Sequence, residues 1–583
     1  MNKTEELSAK RHSLAHLLAA AVLELYPEAK PTLGPAIETG FYYDFEFPEA
    51  ISEKDLPKIE KKMKALASNW HDFTPKTLTK DEALNLFAQN PYKCELIEEI
   101  DQAGEVITTY TAGDFTDLCR GGHIENFQQI DLAGFKLDRL AGAYWRGDEN
   151  NKMLTRIYGL AFENEVALND FLNQRAEAEK RDHRKLGKEL DLFTFSDLVG
   201  SGLPLFTPKG TFLRQAIVNK IKALQSHYGW EDVWIPHITK KDLYQTSGHW
   251  DKFGEELFQV KGQSQAEFIL KPMNCPHHTQ IYASQPRSYK DLPLRYAETT
   301  AVYRDEKPGE LLGLTRVRSL TQDDGHVFCT PEQAPEEIEN IIQIILDFYT
   351  FLGLLKDNNY WVSLSFRDPN TPEKYIGDPA DWDRLEETLL SIAQKAKLNY
   401  EIVPGEAAFY GSKIDFMFQD ALGRQWQLAT VQLDLNMPVR FGLNYIDKDG
   451  EKKSPIMIHR AIAGSLERFL GVIIEHFAGA FPLWLAPIQV AILPVSKNQD
   501  EAALEINQQL KTAGLRTDFL SGTDSLGKRI RKVKALKYPY WLVIGDKEIA
   551  EQTITAENRQ GEKQTMTIAE FIKLINDQTY AGN

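Results

Sequence analysis

Three groups of side chains in this 583-residue chain have types and spacings that could do chemistry. In the first, Arg304 and Glu306 stand two apart in Tyr303-Arg304-Asp305-Glu306, so on an extended strand both point the same way. Lys307-Pro308-Gly309 then supplies a turn that brings Arg316 back alongside. Guanidinium groups beside a carboxylate suit a nucleotide: cations for phosphate oxygens, an acceptor for an exocyclic amino group. A surface hairpin with ion pairs accounts for the same letters. In the second group, Cys275 lies in Lys271-Pro272-Met273-Asn274-Cys275-Pro276-His277-His278, His326 closes Thr321-Gln322-Asp323-Asp324-Gly325-His326, and His459 lies in Met457-Ile458-His459-Arg460. A thiolate and two imidazoles make a good zinc set, and three protein ligands leave a fourth position open to a substrate. Their spacing is not that of a structural zinc finger. In the third group, His12 and His16 share one face of a helix, and Cys119 and His123 repeat the same spacing. Spacing alone reads these four as a tetrahedral zinc site. Histidines satisfied in a core are the alternative reading of His12 and His16. No metalloprotease signature is present, because Ser13 stands where the glutamate would be needed.

Composition bounds what these groups can serve. Hydrophobic residues are 42% and charged residues 26% of the chain, an ordinary globular balance at a length that predicts several domains. A net charge of −17 argues against indiscriminate coating of nucleic acid, although local cation clusters suffice for phosphate contacts. Two clusters stand out, 180–188 and 528–534, each also readable as a solvated helix face. Four cysteines make no disulfide scaffold. No apolar run approaches a membrane span, and the N-terminus lacks an apolar signal region, which predicts a cytoplasmic protein.

The elements that must position these groups follow from periodicity. Apolar spacing predicts a helix over 12–25, then a strand at 41–45, a helix near 56–67 and short strands to 147, together a compact α+β unit. The charge-rich, proline-free stretch 163–190 predicts one connecting helix. A helix over 211–227 leads into a strand at 232–236. Strand-like runs then recur to about residue 450, interrupted by a helix at 336–352, which favours an antiparallel sheet carrying helices. After Phe481-Pro482 strands and helices alternate, which predicts a small α/β domain with a mixed sheet.

Taken together, Arg304-x-Glu306, Arg316, the run Gln322 to His326, Cys275, Tyr410-Gly411-x-Lys413 and His459 to Gly464-Ser465-x-Glu467-Arg468 resemble the bacterial threonine–tRNA ligases, a family of class II aminoacyl-tRNA synthetases. The resemblance runs along essentially the whole chain, in order. It implies an α+β multidomain protein with an editing domain at 1–180, a connecting helix at 181–192, an antiparallel class II core at 193–482 and an α/β anticodon-binding domain at 483–583. The implied activity is ATP-dependent attachment of L-threonine to threonine tRNA through threonyl-adenylate, with hydrolysis of mischarged seryl-tRNA, by a cytoplasmic homodimer without membrane attachment. Arg304 would hold the substrate carboxylate and α-phosphate, Glu306 the adenine amino group, and Arg316 and Arg468 the outer phosphates of ATP with its Mg2+. One Zn2+ per subunit would sit on Cys275, His326 and His459. Asp324, Tyr410, Gln322 and Gln432 would complete the threonine pocket.

For the N-terminal group the resemblance departs from the bare spacing. It implies a hydrolytic site of His12, His16, Cys119, His123, Lys93 and Asp117 that works with ordered water and no metal. Arg531, Lys547 and Glu548 would meet the anticodon. Two departures from the family pattern stand out. Only eleven residues precede His12, so the ubiquitin-like N-terminal domain of the usual bacterial enzyme is expected to be missing. Glu557 replaces the first of two arginines spaced two apart, leaving Arg559. His277 stands where a glycine is common. A sister ligase for proline is disfavoured by the Cys/His/His set, and one for serine by the N-terminal site. A non-catalytic regulator is disfavoured by the complete set of ATP-binding residues.

Overall fold

A computed structural model describes residues 3–263, 266–355 and 359–581, so the extreme ends of the first and last expected domains lie outside the described residues. The chain forms two compact units, 1–176 and 177–583. The first is built on the helix Lys3–Leu25. Leu14, Leu17, Leu18 and Ala21 recur at helical spacing and are fully buried with Phe41, Phe45 and Ile157. This helix starts well before the expected His12. Its earlier turns are anchored by polar contacts: Lys10 Nζ donates to the carbonyls of Asp131, Phe162 and Glu163 at 3.2, 2.6 and 3.1 Å. Apolar periodicity cannot reveal such an anchor. The strand Gly40–Glu46 pairs antiparallel with Met153–Ala161, which pairs in turn with Phe135–Tyr144. A second antiparallel sheet of Thr74–Thr77, Thr108–Ala112 and Phe115–Leu118 delivers Asp117 and leads into Cys119.

The single connecting helix does not form. Glu165–Arg181 ends, and His183–Glu189 begins afresh. At Asp182 the backbone leaves the helical region (φ −46°, ψ 120°), and its carboxylate accepts from the Arg184 N–H at 2.7 Å. Aspartate is a preferred N-cap because its side chain satisfies an orphan N–H. Inside a charged run that signal looks like one more acidic residue.

The second unit contains an eight-stranded sheet in the order Glu231–Asp232, Leu294–Tyr303, Ser319–Cys329, Ile456–Ala461, Gln425–Asp434, Lys413–Gln419, Tyr360–Phe366, Tyr400–Pro404. All neighbours are antiparallel except the pair at each edge. The expected strand at 232–236 is only Glu231–Asp232, although the Val233 N–H still donates to Ala297 O at 3.0 Å. Pro208–Ser226, Ala334–Phe351 and Leu466–His476 pack their apolar stripes on the sheet, with Ile217, Ile345, Phe348, Phe469 and Ile473 fully buried. Beyond Pro482 a mixed five-stranded sheet runs Thr517–Phe519, Val490–Pro494, Tyr540–Ile544, Ile554–Asn558, Lys563–Met566, flanked by Asp500–Thr512, Leu526–Ala535 and Ile568–Ala581. Among the described residues no helix is long and apolar enough to cross a membrane.

Candidate functional site

The eight-stranded sheet lines up one row of polar side chains. Lys413, Gln432, His459, His326 and Tyr296 are successive cross-strand partners, so they share one face. Asp324 and Gln322 lie two and four residues before His326 on the same strand and face the same way. Cys275 reaches this face from the first turn of the helix Cys275–Ala283. Its Sγ and the nearest nitrogens of His326 and His459 all lie within 4.8 Å of one another. Residues scattered over 184 positions of sequence thus meet at one point because the sheet order, not the chain order, sets their distances.

The surrounding hydrogen bonds fix how these rings present themselves. His459 Nε2 lies 3.0 Å from Asp434 Oδ2, and His326 Nδ1 lies 2.8 Å from His278 Nδ1. A proton on each of those outer nitrogens leaves His459 Nδ1 and His326 Nε2 as lone pairs, and these two atoms are 3.0 Å apart. In the other tautomer a hydrogen bond joins them; in this one the two facing lone pairs would share a cation. The same assignment puts the remaining His278 proton on Nε2, facing Glu298 Oε2 at 3.9 Å; both atoms are otherwise buried without a partner. Burial pushes the His326 ring well below its ordinary pKa, so it stands neutral. It also pushes the Cys275 thiol up, reinforced by Asp324 and Asp434, and a bound divalent ion is what deprotonates such a thiol. The donor set therefore fits zinc. Asp324 accepts from Asn274 Nδ2 at 3.0 Å, and burial raises its carboxyl above the ordinary value. Tyr410 donates to Gln432 Oε1 at 3.3 Å. Gln322 Oε1 is buried without a hydrogen-bond partner.

Arg304 and Glu306 lie just beyond the strand Leu294–Tyr303, in the connection 304–318, rather than on the strand itself. The hairpin stays closed there because the Arg304 N–H donates to Arg318 O at 3.0 Å. The return is also longer than a short turn: a 3-10 turn at Pro308–Glu310 is followed by a second tight turn, in which the Thr315 and Arg316 N–H groups donate to Leu312 O. Arg316 binds Glu306 at 2.8 Å and Glu310 at 2.7 Å. Arg468, in the first turn of Leu466–His476, donates to Thr315 O at 3.2 Å. Arg304 is brought against Met273, its Nη2 3.3 Å from Sδ, and so beside the Cys275 helix.

In the first unit five of the six predicted residues line one cavity, and the sixth, His123, is stacked on His12 with ring centroids 4.5 Å apart. His12 Nε2 lies 3.1 Å and His123 Nε2 3.3 Å from Cys119 Sγ, and one donor atom from each of His12, His16, Cys119 and His123 falls within a common 4.8 Å. Lys93 Nζ is 2.5 Å from Asp117 Oδ1, both side chains being almost fully buried. A cavity of about 570 Å³ opens on His12, His16, Lys93, Asp117 and Cys119. Burial pushes the Cys119 thiol up to about 11 and, with His16 and His12 adding to it, the His123 ring down to about 2. The pair is therefore a neutral thiol and a neutral imidazole, an arrangement for holding and polarising water rather than for a thiolate nucleophile.

Sequence reasoning missed several residues here. Tyr43 donates to Asp117 Oδ2 at 2.5 Å and accepts from Lys93 at 3.2 Å. Its signal was the inward alternation Phe41, Tyr43, Phe45, since a buried tyrosine needs a partner for its hydroxyl. Asp434 was missed, and so was His249, whose Nε2 stands 3.9 Å from Cys275 Sγ. In the last sheet domain Arg531 and Lys547 are exposed, whereas Glu548 accepts from the Gly545 N–H and the Thr555 hydroxyl and so caps its own helix. Arg559 spends its guanidinium on the carbonyls of Phe481 and Lys537, and Glu557 sits 3.5 Å from both Lys534 and Lys563.

Known proteins place these sites in context. Residues 258–477 match the family model "tRNA synthetase class II core domain (G, H, P, S and T)", 489–578 "Anticodon binding domain", and 107–158 "Threonyl and Alanyl tRNA synthetase second additional domain". A protein named threonine–tRNA ligase from Rubrobacter xylanophilus is 46% identical over 99% of this chain and 90% of its own length. Another of that name from Thermus thermophilus is 47% identical over 97% of this chain and 87% of its own. Among solved structures, the RNA binding domain of threonyl-tRNA synthetase from Cryptosporidium parvum aligns with a TM-score of 0.64 at 35% identity, covering 68% of this chain and 98% of that one. Giardia lamblia prolyl-tRNA synthetase, at 20% identity and a TM-score of 0.55 over 70% of this chain and 80% of its own, shares the fold.

Proposed function

This chain belongs to the threonine–tRNA ligase family of class II aminoacyl-tRNA synthetases, and from that premise we propose how its residues activate threonine and clear the wrong product. The enzyme joins L-threonine to its tRNA at the expense of ATP, and its N-terminal additional domain edits. What supports the assignment of the synthetic site is the convergence of Cys275, His326 and His459 on the polar face of the sheet.

Cys275, His326 and His459 would hold zinc, which would supply a Lewis-acidic position for the amino and hydroxyl groups of threonine. Asp324 and Tyr410 flank that position and take the remaining protons of the same two groups, with Gln322 and Gln432 alongside. Valine lacks the hydroxyl. An apolar pocket separates such isosteres by only about a hundredfold, whereas polar groups left unpaired by the wrong substrate reject it far more strongly. Arg304 orients the threonine carboxylate against the α-phosphate, Glu306 accepts from the adenine amino group, and Arg316 and Arg468 hold the outer phosphates with Mg2+. Positioning and charge neutralisation of this kind are what adenylate formation requires.

Serine keeps both polar groups and lacks one methyl, a difference of about 1–3 kcal/mol. Discrimination at the first site therefore falls short, and the N-terminal cavity supplies the second. There His12, His16, Cys119 and His123 hold a water for attack on the seryl ester, while Lys93, fixed by Asp117 and Tyr43, faces the developing negative charge. Arg531 and Lys547 contact the anticodon stem-loop. Two copies pair through the segment around Glu231–Asp232, where Trp234 is 76% exposed, and the enzyme works in the cytoplasm.

Amino-acid-dependent ATP–pyrophosphate exchange with threonine, serine, valine and proline tests this reading. Threonine should lead, serine follow weakly, and valine and proline give background. Cys275→Ser should lower zinc content and abolish the exchange. Full activity in a metal-free preparation, or proline as the best substrate, would overturn it.

A further inference from the structure

The charged run 180–188 has no part in the proposed chemistry, yet His183 at its centre is 3% exposed. Every polar atom of that residue that faces the protein is engaged. Nδ1 lies 2.6 Å from Glu475 Oε1, and the His183 N–H donates to the same oxygen at 3.0 Å. Nε2 accepts from the Leu314 N–H at 2.9 Å. A backbone N–H cannot accept, so Nε2 carries the lone pair and Nδ1 the proton. Asp182, His183 and Glu475 also have donor atoms close enough for a metal. That use is excluded by their partners: both ring nitrogens are taken, Glu475 also receives Arg424, and Asp182 is held by Arg184.

Leu314 sits inside the tight turn 312–316, next to Thr315, whose carbonyl takes Arg468, and two residues before Arg316. Glu475 lies in the last turn of Leu466–His476, the helix that carries Arg468 in its first turn. Arg181 adds a hydrogen bond to His476 O at 3.0 Å, at the same helix end. Two glycines make room for this junction. A Cβ on Gly313, which has φ +49°, would fall 2.2 Å from His183 Nε2, and one on Gly471 would meet Thr315 Cγ2 at 3.3 Å, Leu314 Cβ at 3.5 Å and His183 Cδ2 at 3.7 Å. The turn, the ring and the helix are thus packed without intervening side chains. A displacement of the turn cannot be absorbed locally and must move Arg316 relative to Arg468.

We propose that His183 is a positioning residue for the ATP site: its two ring nitrogens lock the turn before Arg316 to the helix bearing Arg468, and so set the separation of the two guanidinium groups that grip the outer phosphates. The proposal rests on the synthetic-site reading above. It makes His183 the point at which the connecting segment is tied to the nucleotide clamp.

The test compares His183→Ala, His183→Asn and His183→Gln with the parent enzyme in threonine-dependent ATP–pyrophosphate exchange, varying ATP and threonine separately. A glutamine carbonyl reaches the position of Nε2 and restores the acceptor for the Leu314 N–H; an asparagine amide replaces only Nδ1. The alanine and asparagine variants should raise KM for ATP by about tenfold, the scale of one buried N–H left without its acceptor, with KM for threonine within about twofold of the parent. The glutamine variant should recover most of the ATP loss. Should the alanine variant fail to fold, the asparagine–glutamine pair still decides. Parent-like ATP dependence in the asparagine variant, or equal losses toward ATP and threonine in all three, overturns the proposal. Absence of threonine-dependent exchange in the parent enzyme would instead refute the synthetic-site reading itself.

Discussion

Replacing Asp434 by asparagine isolates the effect of the His459 tautomer at the proposed zinc site. The side chain is fully buried and divides its oxygens: Oδ1 accepts from the N–H groups of Asn436 and Met437, both at 2.8 Å, and Oδ2 from His459 Nε2 at 3.0 Å. Asparagine can keep its oxygen on the two backbone N–H groups, so the cap of Asn436–Arg440 survives. Its NH2 then faces His459 Nε2 as a donor. That nitrogen must become an acceptor, and the imidazole proton moves to Nδ1, the atom directed at His326. The ring that should coordinate would present a proton instead. Loss of an outer-sphere carboxylate partner typically weakens metal binding about 10–100-fold, or about 1.4–2.7 kcal/mol. Tautomer inversion places the expectation at the upper end. Zinc affinity, measured by competition against a chromophoric chelator, should fall by about a hundredfold, and threonine-dependent exchange at limiting zinc should fall in parallel. Unfolding should be nearly unchanged, because the cap is retained. Asp434→Ala, by contrast, should lose both zinc affinity and stability. Asp434→Asn protein that binds zinc as tightly as the parent would refute the reasoning.

Two further outcomes are expected in the first unit. His12→Ala/Cys119→Ala should threonylate at the parent rate yet accumulate seryl-tRNA when offered serine; a double variant that still clears purified seryl-tRNA would remove these residues from the hydrolytic site. The His123 ring, held down to about 2 by burial, His16 and His12, stays neutral in the fold, whereas the unfolded imidazole takes a proton below about pH 6.5. Its contribution to stability is therefore complete above pH 6.5 and is lost as pH falls below that value, by about 1.4 kcal/mol per unit. Hydrogen exchange of the buried amides in Lys3–Leu25 should show this loss between pH 6.5 and 5.5, and a smaller loss in His123→Gln; identical losses in both proteins would contradict it.

Much of the chemistry was legible because it is carried by residue types that rarely serve otherwise. Cys275, His326 and His459, and the pairs His12/His16 and Cys119/His123, could be proposed from letters and spacing, and each set does come together in space. The supporting partners were not legible. Asp434, Tyr43 and His183 act through hydrogen bonds to residues 25, 74 and 292 positions away, and no local pattern encodes such distances. Charged residues with structural work leave no local signal either: Asp182 caps the helix His183–Glu189, and Lys10 and Arg559 satisfy buried carbonyls.

The two halves of the synthetic site are held with different firmness, and the difference follows from what each must do. Of the residues proposed to choose the amino acid, Gln322, Asp324, His326, Gln432 and His459 lie on hydrogen-bonded strands of one sheet, over fully buried Val431, Ile458 and Val327. Moving one of them by even an ångström would disturb a close-packed interior. On the proposed assignment, selection of threonine rests on close-packed strands, where a small difference between substrates cannot be blurred by adjustment. Three of the four residues proposed to bind ATP, Arg304, Glu306 and Arg316, sit on a connection instead. Arg316 is 45% exposed in its side chain and bound to Glu306 and Glu310, contacts that ATP would replace in the proposed clamp. The Arg316–Glu310 pair is exposed on both sides and contributes at most about 1 kcal/mol, so exchanging it for a phosphate contact costs little. Selectivity is thus preorganised while the clamp is cheap to rearrange, and the His183 junction marks where the rearranging segment is anchored to the part that stays fixed.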